Sequence, residues 1–350
     1  MRHVWPLILT AVFATQAAAQ DWATREVCTV DDPRVHDAVF APSDRATLET
    51  AAAQIPNNTG KFWQITSPEG VVSHLWGTFH SADPLLLDLP KAVEEQIEQS
   101  RLVAVETDFV APSRDVYREA GMMEGRFKDA ADPFAFTPGG DTVAGMPDEQ
   151  SAWVRDRAVE LGWTEDFDLV MSLPGIAEML LSDPCEDFAS GIFPIQDDYI
   201  QLLGRIAGAG ILSLEGRDEF ISDLAASDDT ARALIHTYAA YLRPMESNAE
   251  RATSFALYLE GRLGMMEAWD RAYQQEIYGP VGLGTLGLTD GYLLDFRNRR
   301  FLDRLSDELA RGSVFIAIGA AHLPGEAGMV ALLRGAGYDV TRIPLPGEAP

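Results

Sequence analysis

Two stretches of the chain repeat one pattern: an apolar strand, then Gly-x-x-His, then a loop carrying proline. Val71-Val72-Ser73-His74-Leu75-Trp76 runs into Gly77-Thr78-Phe79-His80, with Pro84 beyond it. Val314-Phe315-Ile316-Ala317-Ile318 runs into Gly319-Ala320-Ala321-His322, with Pro324 beyond it. Random placement of 29 Gly and six His gives roughly half an occurrence of the spacing, so two at the ends of apolar strands call for a physical reason. Glycine lets the backbone turn sharply or approach a ligand closely. The imidazole three residues on then stands just past the strand's carboxyl end, where open α/β sheets place their ligand crevice.

Two further short apolar strands end in glutamate: Leu102-Val103-Ala104-Val105 before Glu106, and Ile211-Leu212-Ser213-Leu214 before Glu215. If the four strands are neighbours, His80, Glu106, Glu215 and His322 converge on one sheet edge. Two neutral imidazoles with one or two carboxylates suit Zn²⁺, Mn²⁺ or Fe²⁺. His80, Glu106 and His322 are the expected ligands. Glu215 is a second ligand or a general base. Arg297-Asn298 precedes the helix leading into the second Gly-x-x-His strand. Arg297 suits clamping a carboxylate or an oxyanion, and Asn298 suits orienting a water or an amide.

The other histidines have plainer roles. His74 alternates with core residues, His236 lies in a helix, His36 lies in a weakly patterned segment, and His3 belongs to the leader described below. The acid pairs Asp197-Asp198 and Asp228-Asp229 read as partners of helix N-terminal dipoles, with Asp198 an alternative site residue because it opens the helix leading to the Glu215 strand. Met265-Met266 reads as helix packing.

Charge and motifs exclude whole classes. A net charge of −27 argues against nucleic-acid binding, which needs clustered Lys and Arg, and against docking on anionic lipid. There is no Ser nucleophile elbow, phosphate-binding Gly loop, His-Glu-x-x-His or CxxC.

Residues 1–19 have a basic start, a short apolar run from Val4 to Ala14 and an Ala17-Ala18-Ala19 end, the pattern of a secretory signal cleaved after Ala19. The run is too short for the roughly 20 residues of a membrane span. The expected location is periplasmic or secreted. In that oxidising compartment Cys28 and Cys185 can pair.

Strands alternating with helices predict an α/β fold, a central mixed β-sheet flanked by helices with mainly helical insertions. A weakly periodic segment at 20–61 precedes an α/β domain at 62–345, with insertions at about 111–195 and 225–290. The pattern predicts a hairpin over Phe62–Trp76, a helix over Leu85–Ser100, a glycine-rich connector over Gly279–Gly287 and a helix over Arg299–Arg311.

These residues together resemble the TraB/PrgY/GumN family, the bacterial relatives of the Tiki metalloproteases. The resemblance rests on Leu75-Trp76-Gly77-Thr78-Phe79-His80, Val105-Glu106, the Asp198 helix running to Leu214-Glu215, Arg297-Asn298 and Gly319-Ala320-Ala321-His322-Leu323-Pro324-Gly325. It implies a fold shared with erythromycin esterase-like and ChaN-like proteins. It also implies metal-dependent proteolysis through two Gly-x-x-His motifs, with Gly77 and Gly319 in support. The leading expectation is a periplasmic metal-dependent hydrolase, peptidase-like, using Mn²⁺, Zn²⁺ or Co²⁺ on a peptide or small-molecule substrate. A metal-free esterase-like hydrolase with His as general base is one alternative. A non-catalytic binding or regulatory protein on this scaffold is the other.

Overall fold

The first hairpin follows directly from its turn chemistry. Ser67-Pro68-Glu69-Gly70 separates β1 (Phe62–Thr66) from β2 (Val72–Thr78). Gly70 takes φ of 83°, and its N–H donates to the Ser67 carbonyl at 2.9 Å. In this computed structural model the described residues are 30–108, 148–160, 171–181, 195–216, 219–242 and 249–350, with Met146 and Phe167 besides. The expected leader, Cys28, Cys185 and much of the 111–195 insertion lie outside the described residues.

Four more strands complete a mixed sheet: β3 (Leu102–Val105), β4 (Gly210–Ser213), β5 (Val314–Gly319) and β6 (Asp339–Arg342). The order is β4-β3-β5-β2-β1-β6. Pairings within β4-β3-β5-β2 are parallel, and β1 joins β2 and β6 antiparallel. The unbroken apolar run of β5 is explained by its place: every residue is buried, with a parallel neighbour on each side. Thr78 pairs with Gly319 and Val105 with both Ala317 and Ser213, so four carboxyl ends stand side by side. Glu215, Glu106, His322 and His80 follow these ends in spatial order, across three inter-strand steps or roughly 14 Å.

Helices cover both faces. The described ones are α1 (Arg45–Ala52), α2 (Lys91–Gln99), α3 (Asp148–Glu160), α4 (Leu173–Leu181), α5 (Gln196–Ala207) and α6 (Glu219–Ala225). They continue with α7 (Asp228–Ala240), α8 (Ala249–Leu259), α9 (Leu263–Tyr278), α10 (Pro280–Asp290), α11 (Arg297–Arg311) and α12 (Met329–Gly335). The main core joins the sheet to α2, α5, α8, α11 and α12. A second core lies among α3, α4, α6 and α7, the helical insertion. A third packs Phe40 and Leu48 against Met265 and Ala268 of α9. Among the described residues no helix is long and apolar enough to cross a membrane.

Three local expectations need correction. The helix expected over Leu85–Ser100 is two pieces, a single turn at Pro84–Leu87 and α2 from Lys91. Pro90 separates them, since it lacks the N–H that a continuous helix needs. The glycine-rich stretch expected as a connector is helical. Gly279 turns the chain at φ of 62°, Pro280 opens α10, and buried Leu286 anchors it. Glycine costs a helix interior about 1 kcal/mol per residue, but α10 packs along α7 and α9, and tertiary contact prevails. Finally, the expected Arg299 helix starts at Arg297, entered through a π-helical turn at Gly291–Phe296.

Candidate metal centre

Each site residue is set by the element that carries it. His80 follows β2 on a loop pinned by Gln196, the fully buried first residue of α5. Its side-chain oxygen accepts from Trp76 Nε1 at 3.2 Å, the Phe79 N–H at 3.1 Å and the Tyr258 hydroxyl at 2.8 Å. The Gln196 N–H donates to the Ser81 carbonyl at 3.1 Å. This clasp brings Asp197, the next residue, against the motif. Asp197 Oδ1 accepts from the Thr78 hydroxyl at 2.6 Å, and Oδ2 lies 2.9 Å from His80 Nδ1.

His322 sits in a short 3-10 turn after β5 and is 3% exposed. Its Nδ1 lies 2.8 Å from Asn298 Oδ1. Asn298 Nδ2 donates to the carbonyls of His322 and Ala327 at 3.2 and 3.0 Å, so Oδ1 is the atom left to face the ring. His322 Nδ1 is therefore the protonated nitrogen, and Nε2 keeps its lone pair.

Glu106 stands between the two rings. Its Oε1 accepts the Gly319 N–H at 2.7 Å and lies 3.8 Å from His80 Nε2 and 3.6 Å from His322 Nε2. Its Oε2 accepts from Arg297 Nη2 at 2.7 Å. Burial opposes the charge on Glu106, but Arg297, the two histidines and the Gly319 N–H together hold its pKa well below the usual carboxylate range. Burial also works against a charged His80, yet Asp197 and Glu106 raise that half-exposed ring to about 9. Burial carries His322 down to about 4, with Arg297 and His80 acting in the same direction against Glu106.

Glu215 is 3% exposed at its side chain, and both its oxygens are taken. Oε2 accepts from Arg297 Nε at 3.0 Å and Oε1 from Arg300 Nη1 at 3.0 Å. Arg300 continues to Asp223 at 2.8 Å, and Arg304 reaches Glu219 and the Leu214 carbonyl. Arg297, Arg300 and Arg304 form one stripe of α11, while Asn298, Phe301, Leu305 and Leu309 form its buried stripe. The carboxylates that Arg297 clamps are the protein's own, and Asn298 orients an imidazole.

His80, Glu106 and Asp197 fit a divalent ion. The Nε2 edges of His80 and His322 each face Glu106 Oε1 with their Nδ1 positions satisfied, the arrangement that prepares a histidine as a ligand. Separations of 3.6 and 3.8 Å exceed hydrogen bonding and approach the roughly 3.4 Å between two donors on one tetrahedral ion with bonds near 2.1 Å. Glycine at 319 keeps the space open: a Cβ there would lie 2.9 Å from His80 Nε2 and 3.3 Å from Glu106 Oε1. Among the described residues, the three whose ligand atoms all lie within 4.8 Å of one another are His80, Glu106 and Asp197, which could hold an ion as a trio. In that grouping Asp197 stands where His322 was expected, and His322 meets Glu106 from the other side.

All six expected residues thus gather at one sheet edge. Asp197 is the residue that sequence reasoning assigned elsewhere: it lies in the first turn of α5, as a dipole partner would, but its side chain turns to His80. Asp198, the alternative considered, is buried instead. Gln196 and Arg300 carry no motif of their own and became visible only through packing.

Fold and site define an α/β protein with a His–Glu–His array along the carboxyl ends of a parallel sheet core. The chain belongs to the TraB/PrgY/gumN family, whose model matches residues 61–342 and so takes in all six strands. No curated protein and no solved structure matches the chain.

Proposed function

We propose that the protein is an exported metal-dependent hydrolase acting on peptide bonds. The observation that carries this reading is the convergence of His80 Nε2 and His322 Nε2 on Glu106 Oε1, above a glycine that leaves no Cβ in the gap. His80, His322 and Glu106 would hold the ion. A bound divalent ion supplies Lewis acidity, polarising a carbonyl and making hydroxide available near neutral pH. Asp197 and Asn298 fix which ring nitrogen faces the reaction. Arg297 and Arg300 hold Glu106 and Glu215 in place, so Glu215 acts as an anchor for Arg297. Half-exposed His80 marks the side from which substrate enters, while His322, Asn298 and Glu215 form the closed wall. Export rests on the N-terminal leader pattern, which supports a periplasmic or secreted location.

The test is elemental analysis of protein purified without chelators, followed by Mn²⁺, Zn²⁺ and Co²⁺ titration and a peptide-library cleavage screen. Binding should weaken in both His80→Ala and His322→Ala. Unchanged affinity in both variants rejects the metal centre. A second reading is favoured by the 2.9 Å His80–Asp197 pair, which matches a metal-free site where Asp orients a His that moves the proton. Cleavage that survives exhaustive chelation selects it.

A further inference from the structure

A cavity of about 150 Å³ opens between α7, α9, α10 and the turn after β5. One wall is Ala320-Ala321, the two residues inside the second Gly-x-x-His motif. Another is the pair Tyr238 and Tyr241, whose rings meet edge to face at 5.9 Å. Tyr238 lies close enough to Glu106 and Arg297 for their charges to bear on its phenol. The cavity therefore adjoins the proposed centre, and its volume suits one long side chain rather than a drug-sized ligand of roughly 300 Å³ or more.

The polar lining is unbalanced. Asp270 on α9 and Asp290 at the end of α10 face the cavity, and neither makes an ion pair among the described residues. Arg271 and Glu267 also line the cavity, and they pair with each other at 2.9 Å. Burial, reinforced by their mutual repulsion, lifts Asp270 to about 7, and burial lifts Asp290 to about 6.

We propose that this cavity is a recognition pocket for the ammonium-tipped side chain of a lysine-type residue in the substrate. An ammonium carries three donors and no acceptor, and the cavity offers carboxylate acceptors from Asp270 and Asp290 beside the hydroxyls of Tyr238 and Tyr241. Tyrosine faces attract a desolvated cation in addition. A neutral side chain of the same length would leave the two carboxylates only Arg271, a cation already paired with Glu267. The pocket names the substrate class of the hydrolase proposed above and rests on that reading only for its place beside the reaction.

The experiment titrates the mature chain with fluorescein-labelled Ala-Ala-Lys-Ala-Ala and its norleucine analogue by fluorescence anisotropy, with Mn²⁺ titrated in parallel. The lysine peptide should bind at least about tenfold more tightly. That ratio should fall in Asp290→Asn and approach one in Asp270→Asn/Asp290→Asn, with Mn²⁺ affinity unchanged. Neither carboxylate makes an ion pair among the described residues, and asparagine keeps an acceptor for the Tyr241 hydroxyl, so the substitutions spare the fold, and thermal melts verify this. Equal affinity for the two peptides, a ratio that survives the double substitution, or no binding of the lysine peptide at millimolar concentration overturns the pocket. Loss of Mn²⁺ binding in the native chain with the lysine preference intact would instead remove the metal-centre reading alone.

Discussion

Asn298 Oδ1 faces His322 Nδ1 at 2.8 Å, and the amide is locked in that orientation because its nitrogen donates to the carbonyls of His322 and Ala327. One side chain thereby sets the tautomer of a buried histidine and ties down the turn that carries it. Asn298→Leu should lower Mn²⁺ affinity by about 10–100-fold, the usual cost of losing an outer partner of a metal-binding histidine. It should also cost about 1–3 kcal/mol of stability, because buried carbonyls lose their donor. Calorimetric metal titration and urea unfolding measure the two effects. An unaltered affinity would mean that His322 is not a ligand.

Gly319 separates site geometry from folding. Its φ of −50° and ψ of 137° are open to any residue, so alanine introduces no backbone strain. The added methyl would nevertheless lie 2.9 Å from His80 Nε2. Gly319→Ala should lose metal binding by about tenfold or more while the melting temperature shifts by no more than about 4 °C, the change that roughly 1 kcal/mol produces. A thermal melt beside the metal titration checks both halves.

Arg297 is 11% exposed at its side chain and bridges Glu106 and Glu215. Among the described residues, Arg297→Ala takes the only guanidinium from Glu106 and leaves Glu215 with Arg300 alone, and breaking a buried pair from one side costs about 3–5 kcal/mol. Arg297→Lys should recover only part of this, since a single ammonium cannot reproduce the fork that reaches both acids. Denaturant unfolding should rank native above Lys above Ala. Equal stability of Lys and native would show that charge alone matters there.

Asp270 and Asp290 make stability depend on pH. Their carboxyls are raised in the folded chain to about 7 and about 6, above an unfolded value near 3.9. The folded state therefore binds protons more tightly. The contribution is fully present below about pH 4 and is lost as pH rises through about 6 and 7. Against other groups' background, Asp270→Asn and Asp290→Asn should gain stability relative to native as pH increases from 5 to 8. Melting temperatures of the three proteins across that interval provide the comparison, and parallel curves would contradict it.

How far the chain itself determines this protein is seen at particular residues. Strand ends at His80, Glu106, Glu215 and His322 were readable because apolar runs and glycine breaks are local signals, and a strand's length and stop are encoded where they occur. The repeated Gly-x-x-His pattern was enough to place both histidines at the same kind of position. Neighbourhood is a different matter. That β3 lies beside both β4 and β5, far apart in the chain, is decided by parallel pairing across long connections, and only this register sets Glu106 between two imidazoles. Asp197 looked like an ordinary helix-start acid because its role depends on how Gln196 clasps the preceding motif. The glycine-rich stretch looked like a connector because local propensity opposes a helix there, and packing against α7 and α9 outweighs propensity. Residue types and strand ends are properties of the sequence. Which donors face one another, and which are already taken by arginines, are properties of the packed sheet edge alone.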